Sequence, residues 1–187
     1  KANDGTAGLS VADSTGRVTF SENNPVITLG SNASGFTGIK ALDIYHINAS
    51  HTGTGDIAHG LFTRGSSASG CAVFGSAMTL HNETAGVFTF PSTGIWKIES
   101  NISFFLNGVD RIIQAFIQIA PDGKTGTFVS RGYSFSNIHN ATTTTYQANY
   151  AYCYTDVTDT DASSGTAVKF RISSNNSSTS TTFDNSA

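Results

Sequence analysis

The chain has 187 residues, a formal net charge of −3 and only 12% charged residues. That length suits one ordinary domain with an extension, and so few Lys and Arg exclude the cationic surface that holds phosphate backbones, so no nucleic-acid partner is expected. No apolar run is long enough to cross a bilayer, so no membrane insertion is expected. The chain starts at Lys1 without a Met or a signal peptide and reads as processed or incompletely represented. Its apolar residues fall in short alternating runs, the pattern of half-buried strands, and none follows helical spacing.

In chain order, residues 1–38 read as an N-terminal arm. Three short apolar runs, Leu9–Val11, Arg17–Phe20 and Val26–Leu29, lie between Ser, Thr, Gly and Asn clusters. Each is too small to bury a core alone. Residues 39–187 read as the head. Strand character resumes at Ile39–Ile47. The stretch His51–Gly70 is polar and lacks a strand pattern, apart from an apolar island at Leu61–Phe62, and is expected to be a loop. Cys71–Leu80 is a strand. Then comes Gly86–Phe105, GVFTFPSTGIWKIESNISFF. Val87, Phe88 and Phe90 form one short run, which Pro91 stops because proline cannot donate to a ladder. After the Ser92-Thr93-Gly94 turn, Trp96, Ile98, Ser100, Ile102 and Phe104 share one face, and Lys97, Glu99, Asn101 and Ser103 the other. Arg111–Ile119 alternates with Ile113, Ala115, Ile117 and Ile119 inward, leaving Ile112 and Phe116 on the polar side. Thr127–Ser136 places Val129, Tyr133 and Phe135 on one face. Asn137–Thr145 reads as a polar loop. Tyr146–Val157 carries a tyrosine stripe, Tyr146, Tyr150, Tyr152 and Tyr154, with Ala151, Cys153 and Val157 opposite. Val168, Phe170 and Ile172 form the last clear alternation.

The fold class implied is all-β, a sandwich. Its expected core is Phe88, Phe90, Trp96, Ile98, Ile102, Phe104, Val168, Phe170 and Ile172. Gly86, Phe88, Pro91, Gly94 and Trp96, spaced Gly-x-Phe-x-x-Pro-x-x-Gly-x-aromatic, resemble the signature of the C1q/TNF-like jelly-roll family, with Trp where Tyr is usual. The resemblance covers about the last three quarters of the chain and implies a trimeric jelly roll. Such domains close with an apolar strand, whereas the chain after Ile172 offers only Phe183 as a large apolar residue. Either a polar strand near Thr179–Phe183 fills that place, or the closing strand lies beyond the sequence.

Asp156, Asp159 and Asp161 are weak calcium candidates. Alternating carboxylates suit a hard cation, but the Glu and Gly of an EF-hand loop are missing, so turn residues are the plainer reading and no metal or cofactor is assigned. His46, His51 and His59 match no zinc spacing. Cys71 and Cys153 read as small buried hydrophobes, with a disulfide possible. Sequons at Asn32, Asn48, Asn82, Asn101, Asn140, Asn175 and Asn176 follow from an Asn/Ser/Thr-rich composition. No catalytic set stands out. Ile112, Phe116, Tyr146, Tyr150, Tyr152 and Tyr154 exceed what one inner face needs and are expected at a homotrimer interface.

Similar punctuated arms precede C1q-like heads in bacteriophage fibre and decoration proteins. That resemblance implies a non-enzymatic trimer on a virion surface, a capsid decoration, head fibre or tail-fibre knob. Its arm would contact other virion proteins, and its loops would reach a host-surface glycan. The alternatives are a secreted, extracellular C1q/TNF-like or lectin-type binding module, and a β-sandwich hydrolase.

Overall fold

The computed structural model describes residues 39, 41–66, 73, 75–82, 85–106, 112–137, 145–174 and 182–183. The chain divides into two units, Lys1–Gly38 and Ile39–Ala187. All described residues belong to the second, so the arm's expected strands and contacts lie outside them.

Twelve strands follow one another: β1 Tyr45–Ile47, β2 His51–Thr52, β3 Gly55–Asp56, β4 Phe62–Arg64, β5 Thr79–Asn82, β6 Gly86–Thr89, β7 Gly94–Leu106, β8 Ile112–Ala120, β9 Val129–Asn137, β10 Thr145–Val157, β11 Ala167–Ser174 and β12 Thr182–Phe183. A 3-10 turn at His59–Leu61 is the one helical piece among the described residues. One sheet has the order β10-β7-β12-β2. The other has β5-β6-β11-β8-β9, with β3 also on β11, and β1 pairs with β4 apart from both. All the ladders are antiparallel. From β6 to β7, β7 to β8, β9 to β10, β10 to β11 and β11 to β12 the chain changes sheet each time. β11 therefore sits between β6 and β8, far from its neighbours in sequence. That crossing order is a jelly-roll sandwich.

Period-two patterning builds the interior. Ile113, Ala115, Ile117 and Ile119 of β8 are buried, facing Ile98, Ile102 and Phe104 of β7 and Ala151, Cys153 and Val157 of β10. Val168 and Ile172 of β11 and Phe88 and Phe90 near β6 complete the buried set. Two of the expected core residues, Trp96 and Phe170, are only partly buried and pack against its margin. Phe88 meets Phe62 and Tyr45 edge-on, with centroids 5.0 and 4.8 Å apart. Gly94 has φ 127°, a conformation that side chains with a Cβ avoid, which suits it to the turn between β6 and β7. That turn is tied down by Trp96, whose Nε1 donates to the Ser92 carbonyl at 3.0 Å.

Two local expectations need correction, and one open alternative is decided. The stretch 51–70 is not a plain loop, since 51–64 hold β2, β3, the 3-10 turn and β4. Ile57 within it is 1% exposed. Its N–H donates to the Phe170 carbonyl at 2.9 Å and its carbonyl accepts from Gly86 at 2.8 Å. Val129 does not share a face with Tyr133 and Phe135. A bulge between Ile117 and Gln118 brings Ser130 opposite Gln118 and Gly132 opposite Ile117, which reverses the alternation. The closing strand is the polar one: Thr182 and Phe183 pair with Phe105 and Phe104 on one side and with β2 on the other.

Candidate functional site

β10 pairs with β7 along its whole length, from Thr145 opposite Leu106 to Val157 opposite Gly94. An uninterrupted ladder keeps parity, so Tyr150, Tyr152 and Tyr154 all leave the sandwich on one outer face. They are 51%, 55% and 62% exposed. Their rings run in sequence, with centroids 6.0 Å apart for Tyr150 and Tyr152 and 6.3 Å for Tyr152 and Tyr154. Opposite them on β7 stand Asn101, Glu99 and Lys97. Ile95, 72% exposed, extends the apolar character at one end. The side chain of Tyr146 lies outside the described set.

The charges on this face are mutually engaged. Lys97 Nζ lies 2.9 Å from Glu99 Oε1 and 5.8 Å from the Tyr152 ring centroid. The Tyr150 hydroxyl donates to the same Glu99 oxygen. This bond, and then the one from Lys97, holds the Glu99 carboxyl below its ordinary range. The same bond pushes the Tyr150 hydroxyl up, and the Glu99 carboxylate raises Lys97. The outcome is a strip of rings carrying one internally neutralised ion pair.

Beneath the strip, Asn149 is buried at 2% exposure. Its Nδ2 donates across the sandwich to the Ile113 carbonyl at 3.1 Å, and its Oδ1 accepts from the Ser136 hydroxyl. One amide thus joins β8, β9 and β10 behind the tyrosines. The sequence reading passed over it, because an Asn between tyrosines in a polar-edged strand carries no signal of burial.

Ile112 and Phe116 do not join the tyrosines. They belong to β8, in the other sheet, and point out of the opposite face, Ile112 being 39% exposed. The expected interface set is therefore two patches on two faces. The second patch gains Tyr133 and Phe135 of β9, 64% and 58% exposed. Phe116 and Tyr133 are opposite in register, with rings 6.3 Å apart at 26°. Gln114 and Gln118 flank Phe116 on the same strand face.

Asp159 and Asp161 turn their carboxylates into their own loop. Asp159 Oδ1 accepts from the Asp161 N–H at 2.9 Å and Oδ2 from the Ser164 hydroxyl at 2.8 Å. Asp161 Oδ1 accepts from the Ser163 N–H at 2.7 Å and from its hydroxyl at 2.5 Å. The hydrogen bond from the Asp161 N–H holds the Asp159 carboxyl below its ordinary range, and that from the Ser163 hydroxyl does the same for Asp161. Asp156 sits exposed at the end of β10. Among the described residues, neither these three nor His46, His51 and His59 form a group of metal-ligating side chains. Cys153 is buried with a free thiol, which burial pushes up, while Cys71 lies outside the described residues. Of the sequons, Asn101 is exposed on β7, and Asn48 is exposed with its Nδ2 donating to Thr63 Oγ1 at 2.7 Å. The side chain of Asn82, and Asn32, Asn140, Asn175 and Asn176, lie outside the described set, as does most of the 137–145 loop.

No protein-family model matches this chain, and no curated protein matches it. Among solved structures, the Eiger TNF of S. frugiperda is similar at 11% identity over 75% of this chain and 88% of that chain, with a TM-score of 0.46.

Proposed function

We propose that the protein is a non-enzymatic assembly and binding head that forms a homotrimer through the tyrosine strip of β10. The strip itself carries this reading. Three tyrosines more than half exposed lie on one straight ladder, beside an ion pair that already satisfies itself. Tyrosine covers apolar area at low entropic cost and keeps a polar tip for a partner, and such residues are enriched where subunits meet. An obligate interface would bury on the order of 2,000 Å². Light scattering at micromolar protein tests it. A trimer is expected for the parent and dissociation for Tyr152→Ser combined with Tyr154→Ser, whereas a stable monomer of the parent refutes the assignment.

The setting that fits best is a bacteriophage virion, with the head as a decoration, head fibre or tail-fibre knob and residues 1–38 attaching it to other virion proteins. The support is the arm-and-head layout of the sequence and its low charge. Copurification with particles is expected, and absence from purified particles removes this setting while leaving the trimer untouched. A glycan-binding role has its own observation, the patch of Phe116, Tyr133 and Phe135 with two flanking glutamines. Rings stack on sugar faces, and amides pair with hydroxyls. Loss of adsorption to glycan-coated surfaces in Tyr133→Ala with unchanged melting supports that role.

A further inference from the structure

The outer face shared by β3, β11, β8 and β9 reads as rows across the strands. Val168 and Ile172 of β11 point into the core, so Lys169, Arg171 and Ser173 point out. Asp56 of β3 stands opposite Arg171, Arg171 opposite Phe116 of β8, and Phe116 opposite Tyr133 of β9. The neighbouring rows are Ser173, Gln114 and Phe135 on one side and Lys169, Gln118 and Ser130 on the other. Neighbours in a row lie one strand spacing apart, about 4.8 Å. The aromatic patch therefore ends against a guanidinium.

The charges of these strands do not balance. β8, β9 and β11 carry Arg131, Lys169 and Arg171 and no Asp or Glu. Asp56 is the carboxylate that the two β11 cations share. Lys169 holds the closer contact, from Nζ to Oδ2 at 2.8 Å, and also lies 4.6 Å from the Phe128 ring centroid. Arg171 reaches Asp56 through Nη1 at 3.4 Å, and its side chain is 40% exposed. A guanidinium presents its donors in a planar fork that matches a carboxylate at two points. One long contact uses little of that fork.

We propose that this face binds an acidic saccharide, whose sugar ring stacks on Phe116 and Tyr133 while its carboxylate pairs with Arg171. The inference rests on the glycan-binding reading of the same patch and adds the charge that the ligand carries. The Phe116 and Tyr133 rings are 26° from parallel with centroids 6.3 Å apart. Together they make a shallow platform that suits the flat C–H face of a sugar. Gln114, one row position along β8, offers an amide that both donates to and accepts from hydroxyls. A carboxylate fixed on a sugar ring lies about one ring width from the stacked face, which is the step from Phe116 to Arg171. The carboxylate of an acidic peptide ends a flexible stem and makes no use of the platform. The tyrosine strip is on the other sheet and takes no part.

Calorimetric titration of the full chain tests this. The acidic probes are oligogalacturonate and sialyllactose. Their neutral counterparts are the methyl ester of the first and plain lactose. Saturable binding of at least one acidic probe is expected, with its neutral counterpart roughly tenfold weaker, since the charge-assisted bonds to Arg171 are lost. Arg171→Gln should weaken the acidic probe to the level of the neutral one, and Arg171→Lys should restore part of the difference. Lys169 still pairs with Asp56 in both variants, so their melting temperatures should hold. If either variant fails to fold, the comparison of acidic and neutral probes on the parent chain decides alone. Equal binding of acidic and neutral probes overturns the proposal and leaves the glycan-binding reading standing. Binding of none of the four up to millimolar concentration removes both. Arg171→Gln losing acidic and neutral probes alike overturns the charge assignment. Polyglutamate binding as tightly as oligogalacturonate, at equal carboxylate concentration, assigns the face to an acidic protein segment instead.

Discussion

Glu99 shows how one side chain can tune a face. Its carboxyl accepts from Tyr150 and from Lys97, with Tyr150 the larger influence. Its folded value lies below the ordinary one, so the stabilising contribution is complete above the usual carboxylate range near 4.3 and is lost as pH falls through the folded value. A carboxyl NMR titration is expected to place the Glu99 midpoint below that of a Glu in a short peptide. Tyr150→Phe should raise it more than Lys97→Met does, and the reverse order would mean that the ion pair, not the phenol, governs the site. In the interior, Ile117 is 0% exposed. Ile117→Ala should cost about 2–5 kcal/mol in urea unfolding. Tyr154→Ala, which removes an exposed ring, should leave subunit stability within about 0.5 kcal/mol.

At the scale of elements, the contact between β9 and β10 is unusually tight for two strands of different sheets. A Cβ on Gly132 would lie 2.7 Å from the Tyr152 carbonyl oxygen, a backbone atom with little room to give. Gly132→Ala should therefore destabilise by about 1–3 kcal/mol through overpacking, read as a lower urea midpoint, and a neutral effect would show that the two edges separate easily. The Asp159–Gly165 loop should ignore calcium: its carboxylates are already turned inward onto N–H and hydroxyl donors. Millimolar calcium or a chelator is expected to leave the melting temperature unchanged, and a rise with calcium would revive a metal role. These elements also show what the sequence could disclose. β7, β8, β10 and β11 were legible because each alternates long enough for burial to print a period of two. β2 and β3 were not, since two residues cannot show a period. Ile57 went unseen as a single apolar residue among polar ones. The tyrosine strip was readable as a stripe because its ladder has no break, whereas the register shift between Ile117 and Gln118 hid the true face of Val129 relative to Tyr133 and Phe135. Which sheet each stripe belonged to was beyond reach, since pairing across the crossovers is set by distant strands.

For the whole molecule, the residues expected at one interface lie on two outer faces. If the β10 face is occupied by neighbouring subunits, the β8–β9 patch is left to meet solvent or a ligand, and substitutions on the two faces should separate. Tyr152→Ser should change the sedimentation of the assembly and spare glycan adsorption, whereas Phe135→Ala should do the opposite. A variant on either face that alters both would place both patches in one interface. The order of the first sheet has a further consequence, for synthesis. Among the described residues β2 pairs with β12, roughly 130 residues later in the chain, and β12 also links β2 to β7. A nascent chain leaving the ribosome can form hairpin contacts such as those of β8 with β9 early. The β2–β12 ladder cannot form until almost all of the described head has been translated. Over that interval the unfinished sheet exposes an edge, and holding it apart from other nascent chains is a task for chaperones.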